Sequence, residues 1–168
     1  MKNRSVAAFV LSSCCAAAFF SPPAAADLRQ STPSGLPVPR FVSMKYDETR
    51  CRIGPSRQHG VKYTFQRKGA PVMVIAETRD HWRKLRDRDG AECWAHASVL
   101  AAPTHAYARR QAVMRKKPTT DAAIRARIED GALVRILKEQ DGWVKIAAGA
   151  HRGWAAAGSF WGVQPSEK

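Results

Sequence analysis

The stretch Asp80-His81-Trp82-Arg83-Lys84-Leu85 has a second copy later in the chain, Asp141-Gly142-Trp143-Val144-Lys145-Ile146. Three further segments recur around it in the same order: CRIGP at 51–55 and MRKKP at 114–118, GAPVMV at 69–74 and GALVRI at 131–136, CWA at 93–95 and GWA at 153–155. Along the chain the paired segments lie 63, 62, 61 and 60 residues apart, a drift that short loop deletions between matched strands would produce. The sequence therefore predicts two copies of one small domain, each of about 60 residues.

Both copies alternate short runs rich in Val, Thr, Phe and Trp with turn signals such as Gly54-Pro55-Ser56. Short strands at this spacing are typical of a small all-β barrel or sandwich. We predict strands at 41–46, 50–53, 63–67, 72–77, 81–86 and 92–96 in the first copy, and at 111–115, 124–128, 133–139, 143–147 and 152–156 in the second. Residues 120–128 also have a helix cap and good helix formers, but their counterpart at 61–67 is strand-like, which favours a strand.

Taken in this order, the segments resemble tandem bacterial SH3-like domains, the small secreted relatives of the SH3 barrel. The resemblance covers about residues 41–163 and is carried by the Cys51-Arg52-Ile53-Gly54-Pro55 opening, the Gly-x-Pro-Val-x-Val strand at 69–74, the Trp-x-Lys-hydrophobic strands at 82–85 and 143–146, and the closing Gly153-Trp154. It implies roughly five to seven short strands in a partly open barrel, no cofactor, and a non-catalytic role that in several relatives is cell-wall or peptide binding. The chain departs from the family pattern at two places: Cys93 replaces the closing Gly in the first copy, and Lys116-Lys117 replaces the Gly of the opening turn in the second. The second departure leaves the shape of the turn in the second copy open.

The N-terminal residues predict export. Lys2 and Arg4 precede an apolar run at 6–20, and Ala24-Ala25-Ala26 comes just before the first acid, Asp27. This is the pattern of a secretory signal peptide over residues 1–26. The run is shorter than the roughly 20 residues that a membrane-spanning helix needs, so we expect a cleaved protein without a transmembrane segment, periplasmic or secreted. The alternative, a lipoprotein acylated at Cys14, is disfavoured because the apolar run continues past that residue.

The remaining chain divides into a lead, two domains and a tail. Residues 27–39 hold Pro33, Gly35, Pro37 and Pro39 among Ser and Thr and predict a disordered lead. The predicted SH3-like domains cover 40–102 and 103–164, and 165–168 form a tail. Because only 101–105 separate the copies, we expect the two barrels to pack together or to hold one orientation.

The chain is strongly basic, with 28 Lys and Arg against 14 Asp and Glu, a net charge of +14. Residues 1–26 hold two of the bases and no acid, which leaves +12 after cleavage; residues 40–102 (13 bases, 7 acids) and 103–164 (11 bases, 5 acids) contribute +6 each. Such charge attracts polyanions. With export, the predicted partners are cell-wall peptidoglycan or another anionic envelope polymer, or an envelope protein; nucleic acid is not expected in vivo. A basic surface that only keeps the protein soluble is the alternative, and the oligomeric state is left open.

Cys51 and Cys93 are the cysteines that remain after the leader. An even count in an oxidising compartment predicts one disulfide, and the closed loop of about 40 residues would stabilise the fold by about 4 kcal/mol. The second copy has Met114 and Gly153 at these positions. A Cys nucleophile or a metal site using Cys93 and His96 is the disfavoured alternative. The five His show no paired metal-ligand spacing, and the sequence has no nucleophile elbow or phosphate loop, so we predict no enzyme, cofactor or metal.

Side-chain alternation along the Trp-x-Lys strands identifies candidate ligand-binding residues. Val144 and Ile146 share one face, which puts Trp143 and Lys145 on the wet face. By the same rule Trp82 and Lys84 point outward in the first copy, and Arg83 points toward the core side and reaches the rim. An exposed indole beside a cation can stack on a sugar or peptide while the base holds a carboxylate; the alternative is that each Trp folds over a neighbouring strand or the other repeat.

Two further pairs complete the candidate set. Trp94 and Trp154 either line a groove or close the barrel, and Arg52 and Arg115 either hold a carboxylate or pin their turns. The candidate ligand-binding residues are therefore Arg52, Lys84, Trp82 and Trp94 in the first copy and Arg115, Lys145, Trp143 and Trp154 in the second.

Overall fold

The computed structural model describes residues 32–164. The predicted leader (1–26), residues 27–31 of the lead and the tail (165–168) lie outside that range. The described chain is all-β, with two antiparallel sheets of seven strands each and no α-helix among residues 32–164. The predictions of an all-β class and of two tandem small β domains are confirmed.

The first sheet is built from seven strands: β1 (Arg40–Met44), β2 (Thr49–Arg52), β3 (Val61–Phe65), β4 (Pro71–Glu77), β5 (Trp82–Arg86), β6 (Glu92–His96) and β7 (Leu100–Ala101). Their order across the sheet is β3-β2-β6-β5-β4-β1-β7. A 3₁₀ turn at Ala97–Val99 carries the chain from β6 to β7, where Met44 pairs with Leu100. Alternate residues such as Val72, Val74 and Leu85 are fully buried and form the core.

The second sheet repeats this plan with another seven strands: β8 (His105–Ala108), β9 (Ala112–Arg115), β10 (Ile124–Ile128), β11 (Leu133–Gln140), β12 (Trp143–Ala148), β13 (His151–Ala156) and β14 (Phe160–Trp161). The order β10-β9-β13-β12-β11-β8-β14 matches that of the first sheet, and a 3₁₀ turn at Ala157–Ser159 precedes the last strand. Its core contains Val134, Val144, Ile146 and Phe160. Each repeat is thus one barrel-like unit with its own core.

Every predicted strand is present, and no strand end differs from its predicted position by more than two residues. The ambiguous segment 120–128 contains a strand at Ile124–Ile128, which pairs with Ala112–Arg115. Strands β7, β8 and β14 were not predicted. Strand β8 has the sequence HAYA, without a β-branched residue, and β7 and β14 have only two residues each, so neither composition nor alternation marks them.

A disulfide joins Cys51 on β2 to Cys93 on β6, as predicted, with 5.6 Å between the Cα atoms. Both residues are buried in the first core. The corresponding strands of the second sheet, β9 and β13, are held without a covalent link, and Met114 is fully buried at the position of Cys51.

The two barrels pack against each other, as the short connection predicts. The Phe41 and Trp161 rings meet edge to face, with 4.9 Å between centroids. The backbone N–H of Thr104 donates to the hydroxyl of the fully buried Ser43 at 3.0 Å, and that of Phe41 donates to the side-chain oxygen of Gln164 at 3.2 Å. These contacts link the first strand of one barrel to the connection and to the final strand of the other.

The described part of the lead, residues 32–39, contains no helix or strand. It nevertheless contacts the first barrel, because Val38 packs against the core and the backbone N–H of Ser34 donates to Oε2 of Glu77 at 3.1 Å. The helical segments among residues 32–164 are two short 3₁₀ turns, and no helix in this part of the chain could span a membrane.

Candidate functional site

Three candidate side chains of the first barrel form a row across neighbouring strands. Arg52 on β2 is the partner of Trp94 on β6, and Trp94 is the partner of Lys84 on β5. Residues directly opposite each other on antiparallel strands project from the same face. Because Cys51 and Cys93 point into the core and side chains alternate, Arg52, Trp94 and Lys84 lie on the outer face; we call them the first row.

The second barrel has a matching row. Arg115 on β9 is the partner of Trp154 on β13, which is the partner of Lys145 on β12. The Lys145 ammonium lies 5.9 Å from the Trp154 ring centroid, close enough for a cation–π contact. We call Arg115, Trp154 and Lys145 the second row. Six of the eight candidate residues thus meet in two equivalent arrangements, and both indoles are half-buried on the outer faces instead of lying in the cores.

The two arginines pin their turns. Nη1 of Arg52 donates to the His59 carbonyl at 2.6 Å, and Nη1 of Arg115 donates to the Ala122 carbonyl at 2.7 Å. The turns therefore hold equivalent bonds despite Lys116-Lys117 in the second copy. A guanidinium has five N–H donors, so this bond leaves donors for an anion.

A further matched pair of cations flanks the rows and was missed by the sequence analysis. Lys62 on β3 donates to the Glu92 carbonyl at 2.9 Å, and Arg125 on β10 donates to the Arg152 carbonyl at 2.8 Å. Both lie where a bulge shifts the register with the neighbouring strand. The available signal was the presence of a base at the same place in both copies.

The expected outward exposure of Trp82 is wrong. Trp82 is only 8% exposed, and its ring meets that of His96, the cross-strand partner, with 5.6 Å between centroids. In the second barrel Trp143 faces Ala156. The small partner covers less of the ring, and Trp143 is half-buried. The predicted pair of exposed Trp82 and Trp143 platforms therefore does not exist.

Arg83 was expected to reach the rim of the barrel. Its side chain is instead buried in an ion pair. Its Nε lies 3.0 Å from Oε1 of Glu77, which also pairs with Arg40, and the Glu77 side chain has no exposed surface. Burial alone would raise the pKa of Glu77, but the hydrogen bonds from Ser34 and Arg40 and the charge of Arg40 outweigh it, and the pKa falls below its ordinary value. This cluster joins β1, β4 and β5 and is structural.

A carboxylate lies beside the first row. Oε2 of Glu92 is 2.6 Å from Nζ of Lys84, and Oε1 is 2.6 Å from Nη2 of Arg86. The hydrogen bonds from Lys84 and Arg86 lower the pKa of Glu92. Next to it a shallow depression of about 250 Å³ is lined by Ile53, Lys62, Lys84, Glu92, Cys93 and Trp94.

A larger open cleft of about 380 Å³ lies between the barrels. Arg67 and Arg88 line it together with two acids, Asp87 and Asp89, and Arg88 lies over the Tyr107 ring at 5.2 Å. The acids balance the bases in this cleft. None of the eight candidate residues lines it.

The described residues, 32–164, contain no group of three His, Cys, Asp or Glu placed to hold a metal ion. The rows offer two other kinds of chemistry. A partly exposed indole can stack on a sugar ring or a peptide plane, and the flanking ammonium and guanidinium groups can hold a carboxylate.

The family model described as a bacterial SH3 domain matches the chain twice, at residues 45–101 and 108–162. Similar solved structures include NlpC2 from Trichomonas vaginalis (13% identity, TM-score 0.34, covering 73% of this chain and 48% of that one) and NlpC1 from the same organism (14%, 0.33, 73% and 45%). The chain spans about half the length of each of these structures. No curated protein matches it.

Proposed function

The chain belongs to the bacterial SH3 domain family, and from that premise we propose that it is an exported, non-catalytic binding module for peptidoglycan or another acidic polymer of the cell envelope. Domains of this family are typically binding modules and commonly occur in extracellular or envelope proteins. The identity of the ligand, the export of the protein and the absence of catalysis are what we propose beyond the family assignment.

One observation carries the proposal, namely that an Arg-Trp-Lys row is built twice at equivalent positions. Positions that only fill a core would repeat as apolar residues, whereas these repeat as an indole between two cations on the outer face. A peptide-bearing glycan presents both groups that such a row can hold, a sugar ring for the indole and carboxylates for the cations.

The proposal is tested by measuring how much of the protein is retained on purified sacculi. The full chain is expressed for this purpose, and the protein is recovered from the periplasm. Retention should fall as NaCl is raised, because screening weakens exposed charge pairs, and it should fall about tenfold in the double variant Trp94→Ala/Trp154→Ala. Trp161→Ala is the matched control, since Trp161 packs against Phe41 between the barrels. Absence of retention at low salt, or indifference to both salt and the double variant, would reject the proposal.

A second candidate function is docking of an envelope protein on a free sheet edge. Strands β3 and β10 each form one edge of their sheet. Val61 and Ile124, at equivalent positions on them, are 46% and 51% exposed. Such an edge can accept an added strand. Co-purification of one stoichiometric protein, lost in Val61→Lys/Ile124→Lys and combined with no retention on sacculi, would favour this function.

A further inference from the structure

Equal net charge conceals a difference between the barrels. Each copy carries +6, yet all ion pairs among residues 32–164 lie in the first barrel: Arg40 and Arg83 with Glu77, Lys84 and Arg86 with Glu92, and Arg88 with Asp89. The bases of the first barrel are therefore partly neutralised within the barrel itself.

The two barrels differ in ion pairing at the positions beside the two rows. In the first barrel Arg86 faces Glu92 across β5 and β6, next to the Lys84–Trp94 pair. At the equivalent place in the second barrel Ala147 faces Arg152, next to the Lys145–Trp154 pair. Arg152 thus stands where the first barrel has Glu92, and Ala147 stands where the first barrel has Arg86.

The turn beside the second row adds another positive charge. Lys116 stands at the position of Ile53, and both residues are exposed. Five bases therefore lie in the second row or on the turn and strands beside it, and none has a carboxylate partner among the described ion pairs. They are Arg115, Lys116, Arg125, Lys145 and Arg152. In the first barrel the equivalent surface encloses Glu92.

Glu92 also indicates which chemical group cations at these positions bind. The lysine and arginine of β5 receive a carboxylate at 2.6 Å on each oxygen. An external carboxylate at the first row must displace this internal one, which is tethered at high effective concentration. At the second row no such competitor stands on β13, where Arg152 would instead add a donor.

We propose that the second row, extended by Arg152, is the site that binds carboxylates of the cell-wall peptide, and that Glu92 keeps the first row occupied. This rests on the proposed function and deepens it, because it assigns ligand binding to one of the two barrels. The first barrel then serves as a disulfide-linked support that packs against the binding barrel.

Matched variants in the two barrels test the inference by sacculus retention. Lys145→Gln/Arg152→Gln should weaken retention at least about tenfold, the effect of losing two charge-assisted hydrogen bonds. Lys84→Gln/Arg86→Gln should change it less than about twofold. The charge swaps should act in opposite directions: Arg152→Glu should weaken retention, and Glu92→Arg should strengthen it. Thermal unfolding of each variant checks that the fold is intact.

The outcomes separate the two proposals. If wild-type protein is not retained, the proposed function fails. If it is retained and both Gln pairs weaken it equally, or only the first-barrel pair does, the function stands and the one-barrel assignment is overturned. Sacculi whose carboxylates have been amidated supply the final arm: lost retention supports a carboxylate ligand, and unchanged retention rejects it.

Discussion

Met114 lies directly against Gly153 in the second barrel, so closely that a Cβ atom on Gly153 would come 2.5 Å from Met114 Cγ and 2.6 Å from the Arg115 carbonyl oxygen. These two residues occupy the positions of Cys51 and Cys93, which form the disulfide of the first barrel. The same pair of strands is thus joined by a covalent bond in one repeat and by a side chain seated on a glycine in the other.

Replacing Gly153 with alanine should destabilise the second barrel by about 1–3 kcal/mol, because the added methyl group meets Met114 and a rigid backbone carbonyl. Urea unfolding measures this. Gly158→Ala is the control, since a Cβ there meets nothing within 4 Å. Equal stability of the two variants would mean that Met114 does not fill this space.

Reducing the Cys51–Cys93 disulfide should lower the stability of the first barrel by about 4 kcal/mol, since the bond closes a loop of 42 residues. Unfolding with and without reductant, followed by Trp fluorescence, reports the change. The variant Cys51→Ala/Cys93→Ala should match the reduced protein and should not respond to reductant. Thiols that label in the native, unreduced protein would contradict the account.

Glu77→Gln should destabilise the first barrel by about 3 kcal/mol, because Arg40 and Arg83 lose their buried counter-charge. The exposed Glu48→Gln is the control.

The same variant predicts a pH effect. The pKa of Glu77 is lowered on folding, so its contribution to stability is present above the ordinary Glu pKa of 4.5 and is lost as pH falls through the lower folded value. Stability measured from pH 6 downward should fall more steeply for the wild type than for Glu77→Gln. Parallel curves would show that the carboxylate is not stabilised by folding.

The variants Trp82→Ala and Trp154→Ala should differ in their effects on stability and on sacculus retention. Trp82 is buried, so its removal should cost about 3 kcal/mol of stability and leave sacculus retention of the folded protein unchanged. Trp154 is half-buried beside Lys145, so its removal should lower retention with a smaller loss of stability. Thermal melts and retention on the same samples distinguish them, and the opposite pattern would return Trp82 to the candidate site.

The sequence predicted the repeat from the spacing of its segments, the all-β class from short strand-like runs between turn signals, and the faces of most site residues from alternation. It predicted the disulfide from the two cysteines left in an oxidising compartment. It could not predict which residues meet across strands. Trp82 was expected to be exposed because alternation assigns a face but does not reveal that His96 lies opposite it. Arg83 was expected at the rim because the sequence does not reveal its partner. That partner, Glu77, lies on another strand, beyond a register shift between Val74 and Ala76.

The rows illustrate the same limit. Each of their six residues was a candidate, but their alignment depends on the pairing of β2 with β6 and of β9 with β13, strands far apart in the chain. The contrast between Glu92 and Arg152 became meaningful only once the register placed both beside the Trp-Lys pairs.

The most direct measurement of the central claim is an NMR titration of the isotope-labelled protein with soluble muropeptides released from sacculi, following the indole N–H signals. We expect the Trp154 signal, assigned with Trp154→Phe, to shift in a saturable and salt-sensitive way while the Trp94 and Trp82 signals stay in place. No shift of the Trp154 signal at any muropeptide concentration at low salt would contradict it.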